Sequence, residues 1–335
     1  MVGTLIGVLP GIGPMATIAM LLPLTYNVPP VSALIMLAGI YYGAMYGGST
    51  TSILVNLPGE TASVVTCIDG YQMARQGRAG PALAISAIGS FFAGTVCTVL
   101  IALFGPPIAG FALEFGSPEY FSLMLVGLVI AAVLAHGGML KSLVMVAVGL
   151  LFGIVGSDVD SGIKRFCFGF YELADGIGFV IIAVGVFAVG EIISNLSDPE
   201  ERVVFTSKVG KLYPTWQDLK QSAGPILRGT GLGAFFGILP GTGASIASFG
   251  AYMVEKKLAK DPSRFGHGAI EGVAAPESAN NADAQCKSIP MLTLGIPASG
   301  VMALMLGALM IHGIAPGPQV MTQKPDLFWG LITSM

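Results

Sequence analysis

Gly7-Val8-Leu9-Pro10-Gly11-Ile12-Gly13 and, 230 residues later, Gly237-Ile238-Leu239-Pro240-Gly241-Thr242-Gly243 are two copies of one phrase. Each interrupts an apolar run. Proline removes a helix donor and glycine tolerates non-helical dihedrals, so each phrase reads as a break in a helix. A second correspondence follows at an offset of 229, with Gly39, Gly43 and Ser49 against Gly268, Gly272 and Ser278. An X-Pro break comes after it in both copies, at Leu57-Pro58-Gly59 and at Ile296-Pro297-Ala298. Offsets that agree to one residue over two motifs indicate an internal duplication.

The flanks of these breaks suit lipid. The 335-residue chain is 53% hydrophobic and 10% charged, with a mean hydropathy of +0.78, whereas soluble domains carry about 25% charge. Residues 79–103, 117–135, 138–156 and 174–195 are each long and apolar enough for a membrane-spanning helix. Residues 3–26, 31–66, 223–258 and 288–313 are apolar but interrupted, the second of them both at 47–52 and at 56–59. The fold expected is an all-α polytopic membrane protein with two related repeats of broken helices or re-entrant hairpins. Residues 1–195 form the first membrane repeat with framework helices, 196–222 a polar cytoplasmic linker, and 223–335 a second, incomplete repeat. A short helix at 215–222, with Tyr213 and Trp216, is expected to lie at the headgroup level. The 16 Lys+Arg form no basic footprint, which excludes nucleic acid as a partner. The four scattered cysteines and three histidines suggest neither a metal nor a redox centre.

Charge placement orients the copies. Residues 26–32, after the first break, hold no Lys or Arg, while their counterpart after the other holds Lys256, Lys257, Lys260 and Arg264. The positive-inside rule then puts the two on opposite sides and makes the repeats inverted. Two parallel repeats with ordinary kinks are the alternative.

Irregular backbone is tolerated at membrane depth only where protein or water surrounds it, so the breaks should line a cavity. Each break also creates a helix N-terminus with free N–H groups, at Pro14, Glu60-Thr61, Ala244-Ser245 and Ala298-Ser299. Broken helices in paired copies point to a transporter site. The candidate substrate-binding residues are therefore Gly11, Gly13, Ser49, Thr50, Thr51, Ser52, Asn56 and Gly59 in the first copy, and Thr242, Gly243, Ser245, Ser278, Asn280, Asn281 and Ser299 in the second. Their hydroxyl, amide and backbone groups suit a carboxylate, and their oxygens suit Na⁺, with Asn56 and Asn280 the nearest candidates. Helix packing is the competing account of the small hydroxyl residues. Glu60, Asp69, Glu271, Glu277 and Asp283 lie beside the breaks and suit H⁺ or Na⁺, with helix capping the plainer role for Glu60. Lys287 is read as peripheral, a snorkelling or packing residue as readily as a counter-charge. No catalytic residue and no cofactor is expected beyond Na⁺ or H⁺ as coupling ion; no GxSxG or HExxH motif suggests an enzyme. An ion or small-solute channel built on broken helices is the second functional reading.

The runs Gly7 to Pro14, Tyr41 to Leu54, Asn56 to Glu60, Asp69 to Tyr71, Arg75 to Pro81, Pro276 to Ala282 and Leu292 to Pro297 resemble the large membrane subunit of tripartite tricarboxylate transporters, the TctA family. The resemblance covers essentially all of 1–335. It implies a multi-pass permease of the bacterial inner membrane. Its implied partners are a small four-helix membrane subunit and a periplasmic solute-binding protein that delivers citrate or another carboxylate, with an ion gradient as the drive. Against that family the chain is expected to lack the start of the first helix and a C-terminal portion. Ala298 stands where the first copy has Gly59.

Single cysteines at Asn27 and Lys260 in a Cys-free background should label from opposite membrane faces. Labelling of both from one face would refute the inverted arrangement.

Overall fold

A computed structural model describes residues 1–9, 13–134, 139–157, 163–178, 181–182, 184–190, 192–193 and 212–335. Gly11 and most of the polar linker, 196–211, lie outside the described residues. Among the described residues the architecture is helical, apart from a two-stranded antiparallel ribbon, β1 (Gly156–Ser157) and β2 (Lys164–Arg165).

The first copy begins with α1 (Val2–Val8), a break, α2 (Gly13–Thr25) and the long α3 (Pro30–Val55). A run of irregular helical pieces, α4 (61–75), follows the next break. Then come α5 (Ala79–Ala112), α6 (Ser117–Leu134) and α7 (Met139–Gly153). The second copy runs α8 (Trp216–Ile238), break, α9 (Ala244–Leu258), α10 (Glu271–Cys286), α11 (Ser288–Leu294), break, and α12 (Gly300–Ile311). Two further helices, α13 (Gln319–Gln323) and α14 (Pro325–Ser334), close the described chain.

By length and composition α3 and α5 can cross a bilayer, and α2, α6, α7 and α12 are shorter apolar helices. The outer faces are oily: Phe91, Val99, Leu103 and Phe104 on α5 are exposed, and α7 has no buried residue. The core is apolar as well, with a polar exception. Helix α10 is buried from Gly272 to Cys286, although it carries Glu277, Ser278, Asn280, Asn281, Asp283 and Gln285. A polar helix sealed within an otherwise apolar core, beneath outer faces that are themselves apolar, suits lipid as the surrounding solvent.

Close helix approach organises both copies. Gly229, Gly233 and Gly237 recur every four residues on α8 and face Ala275, Ala279 and Asp283 on α10. A Cβ on Gly233 would sit 2.7 Å from the Ala279 Cα. Small residues at this spacing let backbones touch, which substitutes for the hydrophobic drive missing between helices in lipid. In the first copy Gly3 and Gly7 of α1 pack in the same way on Ile40 and Ala44 of α3.

Two expectations need correction. The glycine-rich stretch at 47–52 is continuous helix within α3, not a break. Its glycines serve packing: the Gly47 position faces the Thr4 carbonyl of α1, and Gly48 faces Glu60. Thr51 and Ser52 return their hydroxyls to the Gly48 carbonyl about one turn back, so the helix tolerates them. Nor is 215–222 a separate interfacial helix. A capping box between Thr215 and Asp218 starts α8, which then runs unbroken to Ile238.

The other breaks are where the prolines and glycines place them. Among the described residues, Gly13, Asn56, Gly241 and Gly295 take left-handed φ values of 63°, 57°, 81° and 71°, one at each interruption. Within the described part of 174–195 the backbone is irregular, with a π-helical turn at Val184–Val189.

Gly233→Leu should lower the thermal unfolding midpoint of the detergent-purified protein markedly, at a cost of about 1–3 kcal/mol or more for overpacking. Gly231→Leu, two residues away with open space at its Cβ position, should leave it nearly unchanged. Equal losses from both would refute the close-packed α8–α10 seam.

Candidate functional site

Helix α10 is the axis of the site because its buried polar side chains draw partners from three directions. On one side Glu277 accepts hydrogen bonds from Ser49 of α3 at 2.5 Å, from Ser86 of α5 at 3.1 Å, and from Thr66 of α4. Three hydroxyls on three elements converge on one carboxylate, and among the described residues no Lys or Arg pairs with it. Such donors can hold a buried carboxylate without a counter-charge, since an unsatisfied buried acceptor costs roughly 1–3 kcal/mol.

Adjacent residues on a helix point about 100° apart, and the two asparagines use this. The Asn280 amide donates to Glu60 Oε1 at 3.1 Å, reaching the first copy's second break. The Asn281 amide donates to Ser90 of α5 at 2.8 Å and to the Glu277 carbonyl at 3.0 Å. Glu60 itself caps the helical turn at Thr61–Ser63 and accepts the Ala62 N–H at 2.8 Å.

Beside Asn281 lies a cavity of about 300 Å³ between α3, α5 and α10, lined by Tyr42, Tyr46, Ser90, Thr95, Asn281 and Gln285 among others. Its polar groups are neutral hydroxyls and amides, several of them lightly engaged. Gln285 makes a 3.4 Å bond to Thr98 through its nitrogen, and its oxygen has no protein partner.

The breaks are tied to their surroundings by backbone contacts. The Gly241 N–H donates to the Ala298 carbonyl at 3.2 Å, joining the two breaks of the second copy. In the first copy the Gly59 N–H donates to the Gly48 carbonyl at 3.4 Å, and the Gly59 position abuts the Gly7 carbonyl.

The residues singled out from sequence divide. Ser49, Asn280 and Asn281 belong to the polar centre, and Gly59 packs beside Glu60 at its edge. Ser299 caps α12 by accepting the Met302 N–H at 3.4 Å, and Gly13, buried, opens α2. Thr50 is half-buried on α3, and Gly243 and Ser245 are half-buried at the start of α9. Other polar groups are spent locally. Thr51 and Ser52 bond the Gly48 carbonyl, Ser278 that of Ala274, and Thr242 those of Phe236 and Leu239. Asn56 ends α3 in the left-handed conformation and is exposed, so it does not join Asn280 in the buried centre.

Lys287 is not peripheral. It is completely buried and ion-paired with Asp283 one turn earlier, because the α10–α11 junction lies in the core and leaves its ammonium no route to water. Asp69 proves structural: Oδ1 accepts the N–H groups of Gly266, Gly268 and Ala269 at 2.8–2.9 Å, and Oδ2 accepts the Tyr252 hydroxyl at 2.9 Å. Glu271 pairs with Arg264. Among the described residues, no group of three His, Cys, Asp or Glu side chains is arranged to hold a metal ion.

Sequence reasoning missed Tyr42, Tyr46, Thr66, Ser86, Ser90 and Gln285. One signal was available: Ser86 and Ser90 are four apart on an apolar helix, as are Asn281 and Gln285, so each pair shares a face.

The profile of the tripartite tricarboxylate transporter TctA family matches residues 1–335. An uncharacterised 52.8 kDa protein in the TAR-I ttuC′ 3′ region of Agrobacterium vitis is 60% identical over 335 residues, which is all of this chain and 67% of that protein. An uncharacterised protein in the TAR-II ttuC′ 3′ region of the same organism is 63% identical over 103 residues, 31% of this chain and 43% of that protein. No solved structure matches significantly.

Proposed function

Because the chain belongs to the tripartite tricarboxylate transporter TctA family, we propose that it acts within the large membrane permease subunit of such a system, carrying a di- or tricarboxylate across the bacterial inner membrane. The observation that carries this reading is the cavity beside Asn281, where hydroxyls and amides of Tyr42, Tyr46, Ser90, Asn281 and Gln285 stand among apolar side chains such as Phe91 and Met335, against a wholly buried polar helix. A carboxylate leaving water needs several hydrogen bonds to replace its hydration. Tyr42, Tyr46, Ser90 and Gln285 supply them, with Asn281 orienting the Ser90 hydroxyl by donating to it, and no fixed cation holds the anion too tightly to release. The cavity volume is of the order needed for a small polycarboxylate.

In this reading the transporter is a secondary one, driven by co-movement of Na⁺ or H⁺. Its partners are a small four-helix membrane subunit and a periplasmic binding protein, and the chain crosses the membrane several times. The two copies are inverted repeats, with 196–222 on the cytoplasmic side between them. Supporting this are the matched α1–α3 and α8–α10 glycine seams, the two breaks of the second copy meeting at Gly241 and Ala298, the approach of Gly59 to the last turn of α1 in the first copy, and the contrast between the uncharged segment 26–32 and its basic counterpart in the second copy. Paired breaks suit alternating access, in which one repeat rocks against the other around a central site.

Citrate, succinate and other carboxylates should be titrated onto the purified full-length protein, and counterflow measured in proteoliposomes with its partner subunits. One carboxylate should bind and show trans-stimulation. Asn281→Ala and Gln285→Ala should each weaken that binding at least about fivefold, the lower end of the cost of stranding a buried partner. Flux without trans-stimulation would support a channel instead, and unchanged affinity in both variants would move the anion elsewhere.

A further inference from the structure

We propose that the face of α10 bearing Asn280 and Asp283 binds a monovalent metal cation of Na⁺ size, so that one helix serves the anion on one side and its coupling ion on another; this deepens the transport reading and rests on it. Asn280 and Asp283 are both completely buried. The Asn280 nitrogen is fixed by its bond to Glu60. Turning the amide over would bring its oxygen against that carboxylate, so Oδ1 must point away from Glu60. Among the described residues nothing donates to Asn280 Oδ1, and nothing donates to Asp283 Oδ1, although Asp283 Oδ2 is engaged by Lys287. The two lone oxygens belong to residues i and i+3, neighbours on one helix face.

Buried acceptors without donors are rare and costly. A hard cation turns that cost into ligation, because carboxylate and amide oxygens are its preferred ligands. More oxygen is near. Tyr41, buried on α3, stands within electrostatic reach of both Asp283 and Glu60 and close to Ser299. Ion size and charge are constrained by the same residues. With one oxygen of Asp283 held by an ammonium and Glu277 already bonded to three hydroxyls, too few carboxylate oxygens remain for Mg²⁺ or Ca²⁺, which a monovalent ion does not require.

The charge balance explains why such a site would couple to an anion. Glu60, Glu277 and Asp283 bring three carboxylates to the surroundings of α10, against the single ammonium of Lys287 among the described residues there. When all are ionised, two negative charges are uncompensated. A carboxylate entering the cavity beside Asn281 would deepen that imbalance at low dielectric, and a cation beside Asn280 would relieve it. Each ligand thereby favours the other, a reciprocal coupling.

Na⁺ should be titrated into the full-length protein, purified in choline buffer without carboxylate, while its thermal unfolding midpoint is followed, with K⁺ at equal ionic strength as the comparison. Na⁺ should raise the midpoint saturably and K⁺ should not. Asn280→Ala should require at least about tenfold more Na⁺ for the same rise, in line with the effect of disturbing a metal's ligand shell. The double variant Asp283→Asn with Lys287→Met, which leaves neither buried charge unpaired, should show no Na⁺ response. Equal effects of Na⁺ and K⁺, an unshifted Na⁺ curve for Asn280→Ala, or stabilisation by acidification with none by Na⁺ would overturn the proposal; the last would assign coupling to a proton. Citrate binding measured alongside separates the two readings. If a carboxylate binds and Na⁺ does nothing, the cation site alone fails. If neither binds, the transport reading fails with it.

Discussion

A polar helix at the centre of an oily molecule sets the terms for everything around it. Helix α10 buries two carboxylates, two asparagines and a glutamine, and every one of those groups is costly unless it finds a partner. The partners come from α3, α4 and α5, so the polar bonds of α10 tie the two copies together. Removing α10 would leave the hydroxyls of Ser49, Thr66 and Ser86 without their principal acceptor, Glu277, and Ser90 without the amide that donates to it. Helix α8 makes the burial possible from the other side, since only glycines at 229, 233 and 237 allow its backbone to reach that of α10.

Charge is distributed by depth. Arg78 meets Asp218 at 2.5 Å, Arg228 grips Glu255 through two nitrogens at 2.6 and 2.8 Å, and Arg264 meets Glu271 at 3.2 Å. All three arginines remain partly exposed, so these pairs align helix ends and add little stability in a wet setting. The centre instead holds its carboxylates with hydroxyls, an amide and backbone N–H groups. Lys287 is the exception, and burial makes its bond to Asp283 obligatory, because either charge alone would be stranded.

The breaks reconcile irregular backbone with burial. Where α8 and α11 stop, the freed groups find each other: the Gly241 N–H reaches Ala298, and the Ile296 N–H reaches back to Pro290 at 3.2 Å. Ser299 and Glu60 then restart helices as side-chain caps. These are local bonds, which can be exchanged without unpacking the glycine seams. That combination of fixed seams and exchangeable tips is what a transporter needs if rigid units are to move about a central site.

Much of this was legible in the residues alone. Apolar composition, the twin LPGxG phrases and the X-Pro breaks determined that the chain is helical, suited to lipid and interrupted at four places, because proline and left-handed glycine act through the backbone of their own neighbourhood. The same logic misjudged 47–52, where glycine serves contact rather than conformation, and contact is not written in local sequence. Nor could sequence say that Asn280 and Asn281 look in different directions toward partners some 190 to 220 residues away, that Asn56 is left outside, or that Lys287 lies sealed in the core. Those outcomes were decided by which helix faces meet, and that depends on how closely glycine seams let backbones approach and on which buried polar atoms must find each other across the fold.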